Sequence, residues 1–166
     1  MVVKFMVLGD PKGKQRPKFS RQGKFVRAYT PKQTVKYEEK VKTEYINQVD
    51  QRLQGPIDAK ITSYFRIPKS VSRKKRQKMI GEYHTNKPDT DNIGKIILDP
   101  LNDVAFDDDK QVCQLAVAKY YGETPGVIVE LRELIKRPGE KDLICPLHFY
   151  DVNGHEIDEI LRRSNQ

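Results

Sequence analysis

Apolar side chains recur along the first part of the chain with the periods of two strands and one helix. Residues 2–8 are apolar and β-branched and are followed by Gly9-Asp10-Pro11, which predicts a buried strand that ends there. Residues 57–67 are mostly apolar at odd positions, and this period of two predicts a half-buried strand. An apolar residue at every fourth position predicts a helix with one buried face, formed by Tyr37, Val41, Tyr45, Val49 and Leu53.

The predicted helix has recognisable start and stop signals. Thr30 can cap the helix, Pro31 suits its first position, and Gln33 completes a capping box with Thr30. Gly55-Pro56 is expected to stop the helix, since proline cannot continue it. The sequence therefore predicts one long helix between the two strands.

Two shorter helices are predicted in the middle of the chain. Residues 70–80 are polar and basic and are expected to form a short helix or flap capped by Ser70 or Ser72. A further helix is expected to start between Asp89 and Asp91. Its buried face is predicted to consist of Ile93, Ile96, Ile97 and Leu101.

Two further strands are predicted at residues 112–121 and 127–135. The link from Gly122 to Gly126 favours their pairing as a hairpin. The order of elements predicts a single compact domain of mixed α/β (α+β) class over residues 1–137, with a mixed β-sheet and two to three helices. Residues 138–166 carry six acids and three bases, and we expect them to form a peripheral or partly ordered acidic tail.

The charge of the chain is unevenly distributed and indicates a polyanionic partner. The 166 residues carry a formal net charge of +8, and residues 11–48 contain eleven Lys or Arg against three Glu. Such a surface favours nucleic acid as the partner. The chain has no apolar run of 18 residues and no recognisable signal peptide, so we expect no membrane contact and a cytoplasmic location.

Against this basic background, residues 87–112 contain seven aspartates. Asp89 and Asp91 flank a predicted helix start, where the helix dipole stabilises carboxylates. Asp108 and Asp109 precede the next strand, and we expect the returning chain to place them beside the first pair. Carboxylates that meet in this way repel each other unless a divalent cation joins them, and Mg²⁺ takes such oxygen ligands. Helix capping followed by a turn is the alternative interpretation.

Lys95 lies four residues after Asp91 and four before Asp99. On a helix this spacing produces a stripe of exposed ion pairs, each of which stabilises the helix by about 0.3 kcal/mol. Beside a bound phosphate, the same ammonium group would offset charge that develops in the transition state of hydrolysis. The two interpretations are compatible.

Three runs in this region closely resemble the RusA family of Holliday-junction resolvases. They are Asp89-Thr90-Asp91-Asn92-x-x-Lys95, Leu98-Asp99-x-Leu101 and Asp108-Asp109-Lys110-Gln111-Val112. The opening from Gly9 to Pro17, followed by Tyr29-Thr30-Pro31, is similar to the start of phage and prophage members. The resemblance extends from residue 1 to about residue 134.

The resemblance implies a small α/β nuclease, usually a homodimer, in the cytoplasm of a bacterial or phage-infected cell. Such an enzyme binds four-way DNA junctions and nicks two opposing strands symmetrically with Mg²⁺, for which Mn²⁺ can substitute. The implied metal ligands are Asp89, Asp91 and Asp109, and the implied catalytic lysine is Lys95. The residues expected to contact DNA are Lys12, Lys14, Arg16, Lys18, Lys87 and Asn92.

Two positions depart from the pattern of the RusA family. Pro88 stands where well-studied members carry a basic residue, with Lys87 one step earlier. Pro100 falls inside the predicted helix, which it should kink or end because it has no N–H group to donate.

Other interpretations of the acidic region remain open from the sequence. Pro88-Asp89 and the later Asp108-Asp109-Lys110 fit the loose PD-(D/E)xK pattern of restriction-type nucleases. A non-catalytic nucleic-acid-binding protein with a structural acidic patch is a second alternative. His84, His148 and His155 lack the spacing of metal ligands, so we expect them at the surface and assign no zinc.

Overall fold

A mixed four-stranded sheet, a separate two-stranded hairpin and three helices make up the computed structural model, which describes residues 1–22, 25–49 and 51–134. The predicted mixed α/β class is therefore confirmed. In chain order the elements are β1 Val2–Leu8, β2 Lys18–Gln22, β3 Phe25–Tyr29, α1 Lys32–Gln48, β4 Ile57–Arg66, α2 Arg73–Met79, α3 Thr90–Leu98, β5 Val112–Gly122 and β6 Gly126–Glu133. The predicted tail, residues 138–166, lies outside the described residues, so the boundary at residue 137 stays a prediction.

The strands of the main sheet lie in the order β1-β6-β4-β5. The pairs β1–β6 and β6–β4 are antiparallel, whereas β4 and β5 run parallel. The predicted hairpin between the last two strands is therefore wrong, because β4 lies between β5 and β6. The short link after Gly122 crosses the end of β4, where a Cβ on Gly122 would lie 3.0 Å from the Tyr64 side chain.

One face of this sheet forms the core with α1 and α3. Along β4, Ile57, Ala59 and Ile61 are fully buried, which confirms the predicted period of two. On α1, the ring of Tyr45 packs edge-on against Phe5 of β1, with the ring centres 5.2 Å apart. The alternate side chains of β1 and β4 point to the opposite face, which is more exposed.

The start and the end of α1 differ from the predictions. Pro31 is the N-cap residue and no side chain caps the helix, so the capping box of Thr30 and Gln33 is not formed. The helix ends at Gln48, and Leu53 is buried as a loop residue whose backbone N–H donates to the carbonyl of Ala105 at 2.7 Å. A long-range backbone hydrogen bond thus holds Leu53 in place, although the four-residue period predicted this residue to be part of the helix.

Helix α3 follows the sequence closely. Its predicted apolar face is buried, and Pro100 ends the helix by converting its last turn into a 3-10 turn at Asp99–Leu101. Gly94 faces β5, and a Cβ at this position would lie 3.2 Å from the Leu115 side chain. The absence of a side chain at Gly94 therefore lets α3 lie close to β5.

His84 is buried rather than exposed as expected. Its imidazole stacks on the ring of Phe65 with 3.9 Å between ring centres and meets the edge of Tyr121 at 4.9 Å. Burial, followed by the charge of Lys119, lowers the pKa of His84. His148 and His155 lie outside the described residues. No helix in the described part of the chain is long and apolar enough to cross a membrane.

Candidate active site

The start of α3 presents two carboxylates and an ammonium group to solvent. Asp89 is the N-cap residue in an extended conformation, and its side chain makes no capping hydrogen bond. Asp91 lies in the first turn, where its Oδ1 accepts a hydrogen bond from the Asn92 amide at 3.3 Å. The Nζ of Lys95 lies 3.7 Å from Asp91 Oδ2, the ion pair that the i,i+4 spacing predicts. Because both side chains are more than 60% exposed, this pair contributes little to stability, about 0.2–1 kcal/mol at most.

Strand β5 positions the segment that leads into Asp89. The Nζ of Lys119 donates to the carbonyl oxygens of Asn86 and Pro88, both at 2.8 Å. Sequence reasoning missed Lys119, because a lysine within a strand gives no signal of a contact with a segment 31 residues earlier. The position of Asp89 therefore depends on β5 as well as on α3.

The basic loop, residues 11–18, leads into Lys18 as the first residue of β2 and begins against the same end of α3. The backbone N–H of Lys14 donates to the carbonyl of Asn92 at 2.8 Å. A Cβ on Gly13 would lie 2.6 Å from the Cβ of Pro88, so only glycine allows this approach. Proline at position 88, which departs from the family pattern, thus forms the surface on which the loop packs.

The predicted DNA-binding residues of the basic loop fall into two groups. Lys12, Arg16 and Lys18 have exposed side chains. Lys14 is half-buried, and its Nζ lies 2.7 Å from Asp99 Oδ2 and also contacts the carboxylate of Glu38. Burial opposes its charge, but the bonds and charges of Asp99 and Glu38 outweigh burial and raise the pKa of Lys14. Lys14 thus links the loop to α1 and to the end of α3, and its contact with DNA stays a prediction.

Lys87 and Asn92 lie on either side of the predicted carboxylates. Lys87 is exposed, whereas Asn92 is half-buried below the basic loop. The Asn92 side chain contacts Asp91 and its carbonyl accepts from Lys14, so the residue joins the loop to the start of α3.

Asp108 and Asp109, adjacent in sequence, have different environments. Asp108 caps a 3-10 turn at Asp109–Gln111, since its Oδ1 accepts the backbone N–H of Lys110 at 2.9 Å. That hydrogen bond, followed by the one from the Lys110 side chain, lowers the pKa of Asp108. Asp109 is an exposed residue, although neighbouring atoms remove part of the water around its carboxyl group. This desolvation, followed by the charges of Asp108 and Asp99, raises the pKa of Asp109.

Gln111 has a structural role that explains its place in the motif. Its Oε1 accepts the backbone N–H groups of Asp107 at 2.8 Å and Asp108 at 3.2 Å, which completes a capping box. Its amide nitrogen donates to the carbonyl of Gly55 at 2.9 Å. Gln111 therefore fixes the turn that carries Asp109 against the start of β4.

One chain does not bring the three predicted metal ligands together. Helix α3 runs antiparallel to β5. The N-terminal end of the helix lies by Lys119, near the end of the strand, and Gly94 lies over Leu115. The C-terminal end of the helix lies by the turn that precedes β5. Asp109 therefore lies near Asp99, and a helix rise of about 1.5 Å per residue separates Asp99 from Asp89 by about 15 Å. Within the described residues, no group of three His, Cys, Asp or Glu side chains could hold a metal ion. The expectation that the returning strand places Asp109 beside Asp89 and Asp91 is not met within a single chain.

Comparisons with known proteins match the region that contains these elements. The family model described as Endodeoxyribonuclease RusA matches residues 9–132. The chain is also similar to the uncharacterized protein YqaN of Bacillus subtilis (strain 168). The two are 34% identical over 147 residues, which cover 80% of this chain and 96% of that protein. The matched range includes the basic loop, α3 and the turn that carries Asp109.

Proposed function

Since the chain belongs to the RusA endodeoxyribonuclease family, we propose that it resolves Holliday junctions by nicking two opposing DNA strands symmetrically. The observation that carries this proposal is the exposed group Asp89, Asp91 and Lys95 at the start of α3, with the basic loop packed beside it. The restriction-type arrangement is not favoured, because Asp89 precedes a helix and Asp109 lies in a turn.

We propose Mg²⁺ as the cofactor, with Mn²⁺ as a substitute. The proposed ligands Asp89, Asp91 and Asp109 supply the carboxylate oxygens that these ions take. The three groups do not form a complete cluster in one described chain, so we assign no step to the ion. Asp109 is a better ligand than Asp108, because the Asp108 carboxylate caps its own turn.

The remaining residues have proposed roles toward the DNA. Lys95 lies beside Asp91 and is exposed, so its ammonium group is available to a phosphate and would offset charge in the transition state. The exposed side chains of Lys12, Arg16 and Lys18 would contact the sugar-phosphate backbone, which gives affinity without sequence reading. Lys14, Lys87 and Asn92 would line the DNA path beside the carboxylates.

We further propose that the enzyme acts as a homodimer on branched DNA in the cytoplasm of a bacterial or phage-infected cell. A four-way junction has two equivalent strands to cut, and a two-fold dimer provides two equivalent sites.

Cleavage of four-way junction, fork and linear duplex DNA, assayed in parallel with Mg²⁺, Mn²⁺ and EDTA, tests this proposal. We expect paired symmetric nicks in the junction, weaker cutting of the other substrates and no cutting with EDTA. Asp89→Asn should abolish nicking. Asp103→Asn is the matched control, because it removes a carboxylate from the same acidic stretch and asparagine tolerates the positive φ of 60° at that position. Junction binding without metal-dependent nicking by the wild-type protein would favour a non-catalytic binding protein instead.

A further inference from the structure

We propose that the chain has a second nucleic-acid site, which binds a single-stranded segment of DNA on Tyr83 and on the basic helix α2. In this site the base of an unpaired nucleotide stacks on the ring of Tyr83, and the phosphates beside it lie on the cationic side chains of the helix. The inference goes beyond the proposed function, because such a site needs neither a metal ion nor cleavage.

Three tyrosines form a row across the open face of the sheet, the face opposite the core. Tyr64 of β4 and Tyr120 of β5 are register partners, and their ring centres lie 6.1 Å apart. Tyr83 pairs with Tyr120 through a β-bridge and stacks on its ring, with 5.2 Å between the ring centres and 29° between the planes. Tyr83 therefore ends the row. One face of its ring is covered, and the other has no aromatic neighbour in the part of the chain that the structure describes.

Tyr83 is much more exposed than a ring that serves only to stabilise the sheet. It remains 71% exposed although it stacks on Tyr120. Aromatic pairs across strands stabilise a sheet by removing ring surface from water, and here most of the ring stays in water. A ring that is held on one face and open on the other is a stacking platform, because every nucleobase has a π-face whatever the sequence.

Helix α2 supplies the positive charge that a strand on this platform needs. The helix consists of RKKRQKM, which has five cationic side chains and no acidic one, and none of its residues is buried. Lys74 and Lys78 lie four residues apart on one side of the helix, where like charges destabilise it. No acidic side chain among the described residues forms an ion pair with either lysine. Packing within the chain therefore does not account for this helix, whereas a polyanion would stabilise it.

Backbone contacts hold the helix and the tyrosine at one corner of the sheet. Before the helix, the carbonyl of Pro68 accepts a hydrogen bond from the Arg76 side chain at 3.2 Å. After the helix, the backbone N–H of Gly81 donates to the carbonyl of Tyr121 at 2.9 Å. Tyr83 follows the last helical residue by only four positions. The ring and the cations thus form one surface that can contact neighbouring nucleotides of the same strand.

This surface is separate from the acidic group at the start of α3. Successive residues of a strand point to opposite faces of the sheet. Tyr120 points to the open face, where it stacks with Tyr83. Lys119 points to the face that α3 covers and donates to the carbonyl of Pro88, directly before Asp89. A single strand on Tyr83 therefore does not take the place of a strand at Asp89, and the two can be bound at the same time.

A tryptophan in place of Tyr83 gives a direct reading of base stacking. The chain has no tryptophan, so Tyr83→Trp introduces a single fluorophore in the proposed site. Stacking of thymine on the indole ring should quench its emission when an oligothymidylate of about 12 nucleotides is added in EDTA. Tyr29→Trp is the matched control, because Tyr29 is also exposed but lies on β3, and its emission should not change. Unchanged emission of Tyr83→Trp, or equal quenching of both variants, overturns the proposal.

The affinity for the same oligonucleotide measures the contribution of the ring. Tyr83→Ala should raise the Kd by about 5- to 150-fold, because one stacked base loses its platform. Tyr83→Phe keeps the ring and should bind like the wild type, and the Tm of each variant shows whether the fold is kept. Wild-type affinity of a folded Tyr83→Ala, or an equal loss in Tyr83→Phe, would exclude the ring as the platform.

The salt dependence of binding tests the part played by α2. Replacing Lys74 and Lys78 by Gln should flatten the slope of log K against log salt by about 1.4, since each phosphate contact on a single strand contributes about 0.7. The control replaces Lys4 and Lys60 by Gln, which removes the same charge from exposed positions farther along the open face. An equal change of slope in both double variants would mean that net charge alone holds the strand, and would refute the site.

Two further titrations of Tyr83→Trp separate the site from duplex binding and from cleavage. A long duplex should leave the emission unchanged, because its paired bases have no free face to stack on the ring. Quenching by duplex as strong as by the single strand would overturn the assignment to unpaired bases. Adding Asp89→Asn to Tyr83→Trp should leave the quenching as it is. The site therefore stands or falls on binding alone, even if the protein cleaves no DNA.

Discussion

The ammonium nitrogen of Lys119 lies 2.8 Å from the carbonyl oxygen of Pro88, so a residue of β5 holds the backbone immediately before Asp89. The same nitrogen holds the carbonyl of Asn86 at 2.8 Å. Lys119 is a positioning residue, because it acts on Asp89 through the segment before α3. The Asp89 carboxylate, the first of the candidate site, is thereby positioned by the sheet and not by its own helix alone.

Replacing Lys119 should lower catalysis more than it lowers stability. Lys119→Met keeps much of the aliphatic side chain but leaves the carbonyls of Asn86 and Pro88 without this donor. A displacement of Asp89 by about 1 Å should reduce kcat by about 10- to 100-fold. The measurement is single-turnover junction cleavage, with Lys60→Met as control because Lys60 is exposed on β4. Lys119→Arg should restore part of the rate, and wild-type cleavage by Lys119→Met would contradict the positioning role.

Asp108→Asn and Asp109→Asn should differ sharply although the residues are neighbours. Asp109→Asn removes an exposed carboxylate assigned to the metal ion, so nicking should be abolished while junction binding stays equal or becomes tighter. Asp108→Asn keeps an oxygen that can accept the N–H of Lys110, so the turn and most of the activity should persist. A cleavage assay measures the nicking of both variants, and a gel-shift assay measures their junction binding. If Asp108 proves indispensable, the register of the proposed ligand is off by one residue.

Lys95→Ala should lower the turnover rate with little effect on DNA affinity. The ion pair with Asp91 is exposed, so its loss should change the free energy of unfolding by less than about 1 kcal/mol. A role confined to the transition state lowers kcat and kcat/KM equally. Single-turnover rates and junction Kd are measured side by side. An unchanged rate would reduce Lys95 to a surface ion pair.

Arg16→Ala should weaken DNA binding through phosphate contacts alone. Each lost contact flattens the slope of log K against log salt by about 0.9, and a dimer loses two, so the slope should change by roughly 1.8. Junction binding is measured over a range of salt with Ca²⁺ in place of Mg²⁺. Lys14→Ala is the informative comparison, because it should also lower the Tm by removing the link to Asp99 and Glu38. An unchanged slope for Arg16→Ala would move the DNA path elsewhere, most simply to the exposed basic residues of α2, Arg73–Met79.

Protonation of His84 should lower the free energy of unfolding in mild acid. Its pKa is lowered in the folded protein, so below the unfolded value of about 6.5 the unfolded chain binds a proton more readily. The contribution of neutral His84 to the free energy of unfolding is fully present above that pH. It declines as the pH falls from about 6.5 to the pKa of His84 in the folded protein. Urea unfolding at pH 7.5, 6.5 and 5.5 measures this loss. His84→Phe should keep the stacking on Phe65 and show a smaller decrease over the same range; equal decreases in both proteins would exclude His84 as the cause.

Local features of the chain were predictable because each depends on residues close in sequence. The odd-numbered core positions of β4, the buried face of α3 and the end of that helix at Pro100 follow from side-chain periodicity and from the chemistry of proline. The four-residue spacing of Asp91 and Lys95 on one helix likewise predicted their ion pair. The RusA resemblance also rests on these short-range motifs.

Contacts between distant segments were decided only by the tertiary structure. The insertion of β4 between β5 and β6, the bond from Lys119 to Pro88 and the link from Lys14 to Asp99 join residues that share no local pattern. The order of the strands depends on which strand pairs together bury the most apolar surface. The hydrogen bond from Lys119 to Pro88 can form only after the sheet and α3 have packed together. For the same reason the sequence predicts Asp89 and Asp109 as ligands of one site, whereas the antiparallel packing of α3 on β5 decided that one chain holds them at opposite ends of the helix.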